Sequence, residues 1–149
     1  TSLNLSNNQL TGVIAHQMMD LASLIQLDLS RNQLTGEIPT GDWQGNPPGI
    51  QDITNLTILD LSHNQFTGDI PHELGDLNFL SSLYLNDNQF TGVPEGKNEV
   101  TGDIESSLCN LNFTWSDSSI FNLSNNKICS PYPPCIQGFM GVQDTTNCN

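Results

Sequence analysis

Basic residues are almost missing from this 149-residue chain: Arg31, Lys97 and Lys127 stand against 16 carboxylates, a formal charge of −13. A nucleic-acid binder needs a basic stripe that displaces counterions from phosphate, and three scattered cations do not make one. The same shortage excludes a polybasic membrane anchor. No apolar run approaches the ~20 residues of a membrane-spanning helix, so membrane insertion is not expected. No leader-type segment opens the chain, although its abrupt start leaves room for one upstream or already removed. Aromatics make up only 7%, and no cysteine precedes Cys109. A hydrophobic share of 36% is low for a compact globule, yet it suffices where each segment packs only on its neighbours in sequence.

What is abundant is repetition. Four segments read almost alike: Leu3-Asn-Leu5-Ser-Asn-Asn8-Gln-Leu10-Thr-Gly12, Leu27-Asp-Leu29-Ser-Arg-Asn32-Gln-Leu34-Thr-Gly36, Leu59-Asp-Leu61-Ser-His-Asn64-Gln-Phe66-Thr-Gly68 and Leu83-Tyr-Leu85-Asn-Asp-Asn88-Gln-Phe90-Thr-Gly92. A fifth, Phe121-Asn-Leu123-Ser-Asn-Asn126-Lys-Ile128, ends in Cys129. The asparagines at 8, 32, 64, 88 and 126 differ by 24, 32, 24 and 38, a 24-residue unit with 8 and 14 residues added in two places. Leu27-Asp28-Leu29 alternates apolar, polar, apolar, the pattern of a short strand with one buried face. Stacking such units puts Asn4, Asp28, Asp60, Tyr84 and Asn122 in one exposed column, about 4.8 Å apart. Flanking columns run Ser2, Gln26, Ile58, Ser82, Ile120 and Ser6, Ser30, Ser62, Asn86, Ser124. Asn8, Asn32, Asn64, Asn88 and Asn126 are expected to be structural, because an inward amide satisfies both N–H and C=O groups of a turn.

These motifs resemble the leucine-rich repeat family in its plant-type form, Leu-x-x-Leu-x-x-Leu-x-Leu-x-x-Asn-x-Leu-Thr-Gly-x-Ile-Pro, matched by Leu21 through Pro39 and Ile53 through Pro71. The resemblance implies an α/β repeat solenoid, a right-handed coil of about five 24-residue units. It implies a parallel concave sheet, short 3₁₀ or helical convex turns and a C-terminal disulfide cap. Residues 1–108 are read as repeats, with insertions near 40–49 and 93–102, and residues 109–149 as the last repeat and cap. The Thr-Gly pairs are expected to open a second extended segment, and His72-Glu-Leu74-Gly-Asp-Leu77 one helical or 3₁₀ turn.

Three places depart from the pattern. Ala15 replaces proline in the first unit, and Met18-Met19 reads as gap-filling. The Gly- and Pro-rich stretch from Thr40 to Gly49 reads as a bulging loop, with Trp43 either a lid on the coil or an anchor for a partner. Val93–Val100 reads as a surface loop. Cys109, Cys129, Cys135 and Cys148 form a local framework that allows three pairings. Cys129-Ser-Pro-Tyr-Pro-Pro-Cys135 resembles the closure of plant-type caps, which implies Cys129–Cys135 and leaves Cys109–Cys148. Disulfides imply an oxidising compartment, hence a secreted or cell-surface protein. Sequons occur at Asn4, Asn55, Asn112 and Asn122, with Asn55 and Asn112 preferred because they lie off the concave strands.

No catalytic constellation is present. His16, His63 and His72 occupy unrelated repeat positions, and no nucleophile elbow, phosphate loop or metalloprotease helix occurs. Asp28 and Asp60 form a solvated acidic column that leaves weak calcium binding open; no metal site or cofactor is otherwise expected, N-linked glycans apart. The expected function is a non-enzymatic extracellular module whose concave face recognises a protein or a glycan. Its expected binding residues are Gln26, Asp28, Ser30, Arg31, Ile58, Asp60, Ser62, His63, Tyr84, Asn86 and Asp87, with Tyr84 the natural anchor. The alternative is a structural subunit of an extracellular fibre, matrix or surface layer, bound to copies of itself through the solenoid ends. Narrower readings are a polygalacturonase inhibitor and an ice-binding protein using the column Thr11, Thr35, Thr67, Thr91.

Overall fold

The structure, a computed structural model, describes residues 1–42, 44, 47–92, 96–97, 104–105, 107–113, 117, 119–146 and 148. Ten short strands alternate with five 3₁₀ turns along these residues. Strands β1 (Ser2–Asn4), β3 (Gln26–Asp28), β5 (Ile58–Asp60), β7 (Ser82–Tyr84) and β10 (Phe121–Asn122) form one parallel sheet in that order. Its register places Asn4, Asp28, Asp60, Tyr84 and Asn122 opposite one another in succession. Strands β2 (Thr11–Gly12), β4 (Gln33–Gly36) and β6 (Gln65–Phe66) form a second parallel ladder where each Thr-Gly segment begins or passes. Gly12, Gly36 and Gly68 take φ of +84°, +78° and +75°, a bend that a side chain disfavours. The helical contribution among the described residues is 3₁₀ alone: His16–Asp20, Ile50–Asp52, His72–Asp76, Ser107–Asn110 and Gln137–Phe139. Gly75 lets the third turn seat its backbone against Ser107 of the fourth, where a Cβ would collide.

The leucines form one continuous core, with Leu27, Leu59 and Leu83 beneath the sheet and Leu29, Leu61 and Leu85 one pleat along. Phe66 and Phe90 stack in adjacent coils with centroids 6.3 Å apart. Asn32, Asn64, Asn88 and Asn126 are buried beside this core. The Asn64 oxygen accepts the Leu34 N–H of the preceding coil at 3.0 Å, and its nitrogen donates to Leu29 O at 3.0 Å and to Leu61 O and Ser62 O at 3.2 Å. Asn32, Asn88 and Asn126 repeat the arrangement. Asn8 is exposed and donates only within its own coil, to Leu5 O and Ser6 O.

The first insertion leaves the coil after Pro39 and returns at Ile50, whose N–H donates to Pro39 O at 2.8 Å. Gly41 and Gly49 meet backbone to backbone at its base; Trp43 lies outside the described residues. The second insertion, expected as a loop, carries an antiparallel pair, β8 (Gly96–Lys97) with β9 (Ile104–Glu105). Its remaining residues, 93–95 and 98–103, lie outside the described ones.

The cap corrects the expected disulfides. Cys109 bonds Cys135 and Cys129 bonds Cys148, with Cα separations of 5.7 and 5.6 Å; neither Cys129–Cys135 nor Cys109–Cys148 forms. Pro131, Pro133 and Pro134 fill the stretch between Cys129 and Cys135, and each has a fixed φ and no N–H for a closing turn. The segment therefore carries Cys135 onward to the 3₁₀ turn that holds Cys109, and the tail returns to Cys129. Within the cap, Gln143 takes over the role of the asparagines. Its amide nitrogen donates to Leu123 O at 2.8 Å and Met140 O at 2.5 Å, and its oxygen accepts Ile128 N–H at 3.3 Å.

Candidate functional site

The concave sheet and the turn after each strand make the candidate site. In the first, second, third and fifth repeats the strand's last polar residue captures the backbone two positions on; Tyr84, in the fourth, makes no such bond. Asp28 Oδ1 accepts Ser30 N–H at 3.0 Å and its hydroxyl at 2.7 Å; Asp60 does the same for Ser62 at 2.9 and 2.6 Å. This local capture turns the chain, and the next residue falls in the left-handed region. Asn7, Arg31, His63, Asp87 and Asn125 all have φ between 54° and 57°, uncommon for such side chains. The N–H of each is then free to continue the ladder between coils: Arg31 N–H donates to Ser62 O, His63 N–H to Asn86 O and Asp87 N–H to Ser124 O, each at 3.0 Å.

Three expected binding residues are corrected by this geometry. Ser30, Ser62 and Asn86 are buried, at 7%, 6% and 9% exposure. Both serine hydroxyls are taken up by the aspartates, and the Asn86 amide donates to Asp87 Oδ2 at 2.6 Å. Strand alternation places this column outward, but the strands end at Asp28, Asp60 and Tyr84, two residues before it, and the turn that follows rolls it in. Gln26 and Arg31 are exposed, and Asp28, Ile58, Asp60, His63, Tyr84 and Asp87 are half-buried. Tyr84 reaches along the sheet, its hydroxyl donating to Ser119 O at 2.7 Å.

The downstream flank gathers charge. His63 Nδ1 lies 3.4 Å from Asp87 Oδ2, and Asn125 donates to Asp87 Oδ1 at 2.7 Å. Burial pushes the Asp87 carboxyl up, but hydrogen bonds from Asn86 and Asn125 and the charges of His63 and Arg31 outweigh it and hold the group below its ordinary value. Asn125 was not among the expected residues, though it shares the repeat position of Arg31, His63 and Asp87. That period was the signal that could have found it.

The sequon asparagines divide. Asn4 and Asn122 lie in strands and their side-chain oxygens cap Ser6 and Ser124; Asn4 also donates to Asp28 Oδ2 at 2.9 Å. Asn55 and Asn112 are exposed off the strands, donating to Ala22 O and Asn78 O. In the threonine column, the hydroxyls of Thr35 and Thr91 are committed to Gly12 O and Asp69 Oδ1. Among the described residues no three His, Cys, Asp or Glu side chains are grouped to hold a metal ion.

Short parallel strands stacked at a fixed period over an asparagine ladder define a leucine-rich repeat protein. Family comparison agrees: the pattern described as Leucine rich repeat matches residues 1–45, and that described as Leucine Rich repeats (2 copies) matches residues 54–95. The chain belongs to the leucine-rich repeat family, in its plant-type form. It is similar to a chain in the complex of the Arabidopsis receptor kinase HAESA with the peptide hormone IDA and the co-receptor SERK1, at 29% identity and a TM-score of 0.74. That match covers 98% of this chain and 22% of the other. The LRR ectodomain of the receptor kinase SOBIR1 from Arabidopsis thaliana is similar at 29% identity and a TM-score of 0.66, over 94% of this chain and 65% of that one. A plant ice-binding protein matches at 28% identity and a TM-score of 0.66, over 91% and 37%. The chain thus spans less than two thirds of each of these proteins. No curated protein matches it.

Proposed function

We propose that this chain is a non-enzymatic, extracellular recognition module that takes a peptide or protein along its concave sheet. The observation that carries the reading is a strip of in-register side chains. Asp28, Asp60 and Tyr84 lie along the strands, beside the flank of Arg31, His63, Asp87 and Asn125. The strip is held rigid by backbone ladders on both sides, so little ordering entropy opposes binding. It mixes both signs of charge with one aromatic, a composition suited to a polypeptide. The similar HAESA complex contains a peptide hormone and a co-receptor, which supports a proteinaceous partner. The two disulfides fit a secreted or cell-surface location.

The test is selection of binders from a random-peptide phage library against the disulfide-bonded protein. Affinities are then measured for Tyr84→Ala and Asp60→Ala. We expect at least one substitution to weaken binding about tenfold or more, the effect of losing an interface anchor. Unchanged affinity in both would refute the strip. A glycan array run alongside reports on carbohydrate, and light scattering on copies joined through coil ends.

A further inference from the structure

We infer that Asn55 carries an N-linked glycan whose first sugar packs on an apolar shelf along the upstream edge of the sheet. The inference rests on the extracellular reading, because the transfer takes place in a secretory lumen. Ser23, Ile25, Asn55, Thr57 and Phe79 line an open cleft of about 450 Å³. Two large apolar side chains stand uncovered there, Ile25 at 44% and Phe79 at 66% exposure. An exposed phenylalanine beside an exposed isoleucine, on an otherwise acidic, polar surface, asks for a cover. The sequon Asn55-Leu56-Thr57 sits on the wall of this same cleft.

The amide geometry suits the attachment. One Asn55 Nδ2 hydrogen donates to Ala22 O at 2.9 Å, across the coil boundary. Glycosylation replaces one of the two amide hydrogens, so the linked nitrogen retains an N–H for Ala22 O, and the place of Asn55 on the cleft wall sets the first sugar beside the shelf. In the transfer Asn55 Nδ2 bonds to C1 of a lipid-diphosphate-linked oligosaccharide, the diphosphate leaves and the amide loses one proton. Asn4 and Asn122 lack this arrangement, since their side chains cap the strand ends within the sheet. A glycan at Asn55 covers the upstream edge and leaves the flank of Arg31, His63 and Asp87 open. It therefore also sets the side from which a partner approaches.

The protein is to be secreted from a eukaryotic host restricted to high-mannose glycans and checked for intact disulfides. We expect glycopeptide mass spectrometry to find Asn55 occupied, and Asn55→Gln to lower Tm by about 2–4 °C. Trimming with an endoglycosidase to the single core sugar should keep most of that increment. In a Phe79→Ser background the Asn55→Gln difference should shrink to about 1 °C or less. An unmodified Asn55 in secreted, disulfide-bonded protein overturns the inference, as does an Asn55→Gln difference equal in both backgrounds. Peptide affinity at Tyr84 and Asp60, measured on the same samples, reports separately on the recognition strip.

Discussion

Replacing Asn64 by alanine isolates what the buried amide does. Its four hydrogen bonds are not equal. Leu29 O keeps a donor in the Asn32 amide, Leu61 O in the Asn88 amide and Ser62 O in the Arg31 N–H. The Leu34 N–H has the Asn64 oxygen as its partner, at 3.0 Å in a buried setting. One buried donor is therefore orphaned, at about 1–3 kcal/mol, and the remaining contacts add about 1 kcal/mol net. The expected loss is about 2–4 kcal/mol, a fall in Tm of roughly 5–15 °C for a chain of this size. Asn8→Ala is the internal control, since Asn8 is exposed and bonds only its own coil; its loss should stay under about 1 kcal/mol. Urea unfolding followed by far-ultraviolet circular dichroism measures both. Equal losses at the two positions would refute the account, because the orphaned donor would then contribute nothing.

The same logic extends to the cap, where Gln143→Ala orphans the Ile128 N–H and should cost about 1–2 kcal/mol by the same urea assay. Peptic digestion without reductant should yield linked peptides containing Cys109 with Cys135 and Cys129 with Cys148; a Cys129–Cys135 peptide would contradict the fold. Cys109→Ser with Cys135→Ser opens a loop of 26 residues and should lower stability by about 3 kcal/mol. Asp87 has a folded-state pKa below its unfolded value, so its stabilisation is present above the unfolded pKa and is lost as pH falls through the folded one. Urea midpoints from pH 5 downward should accordingly drop less steeply in Asp87→Asn than in the unchanged protein; identical slopes would show that the Asn86, Asn125 and His63 contacts carry no such linkage.

The period of the sequence determined the solenoid by itself. Leu-x-Leu alternation, a buried asparagine three residues on and a Thr-Gly bend are local patterns, and each coil needs only its neighbour to satisfy them. That is why the strand column of Asp28, Asp60 and Tyr84 was legible before any coordinates. Tertiary structure decided what the period could not express. Ser30, Ser62 and Asn86 alternate as surface residues, yet each strand ends two residues before them and the following turn rolls them inside, with an aspartate hydrogen bond fixing the turn at Ser30 and Ser62. The cysteine pairing depends on where three prolines carry Cys135, a path through space that spacing alone leaves open. Gln143 closes the ladder although it sits in no repeat, because a longer amide from a non-repeating tail reaches the same carbonyl and N–H. The shelf beside Asn55 is half legible in the period, which puts Ser23, Asn55 and Phe79 at one repeat position, three residues before each strand. Tertiary structure decided that Ile25 and Phe79 stay uncovered there, because no neighbouring coil or loop among the described residues packs over them.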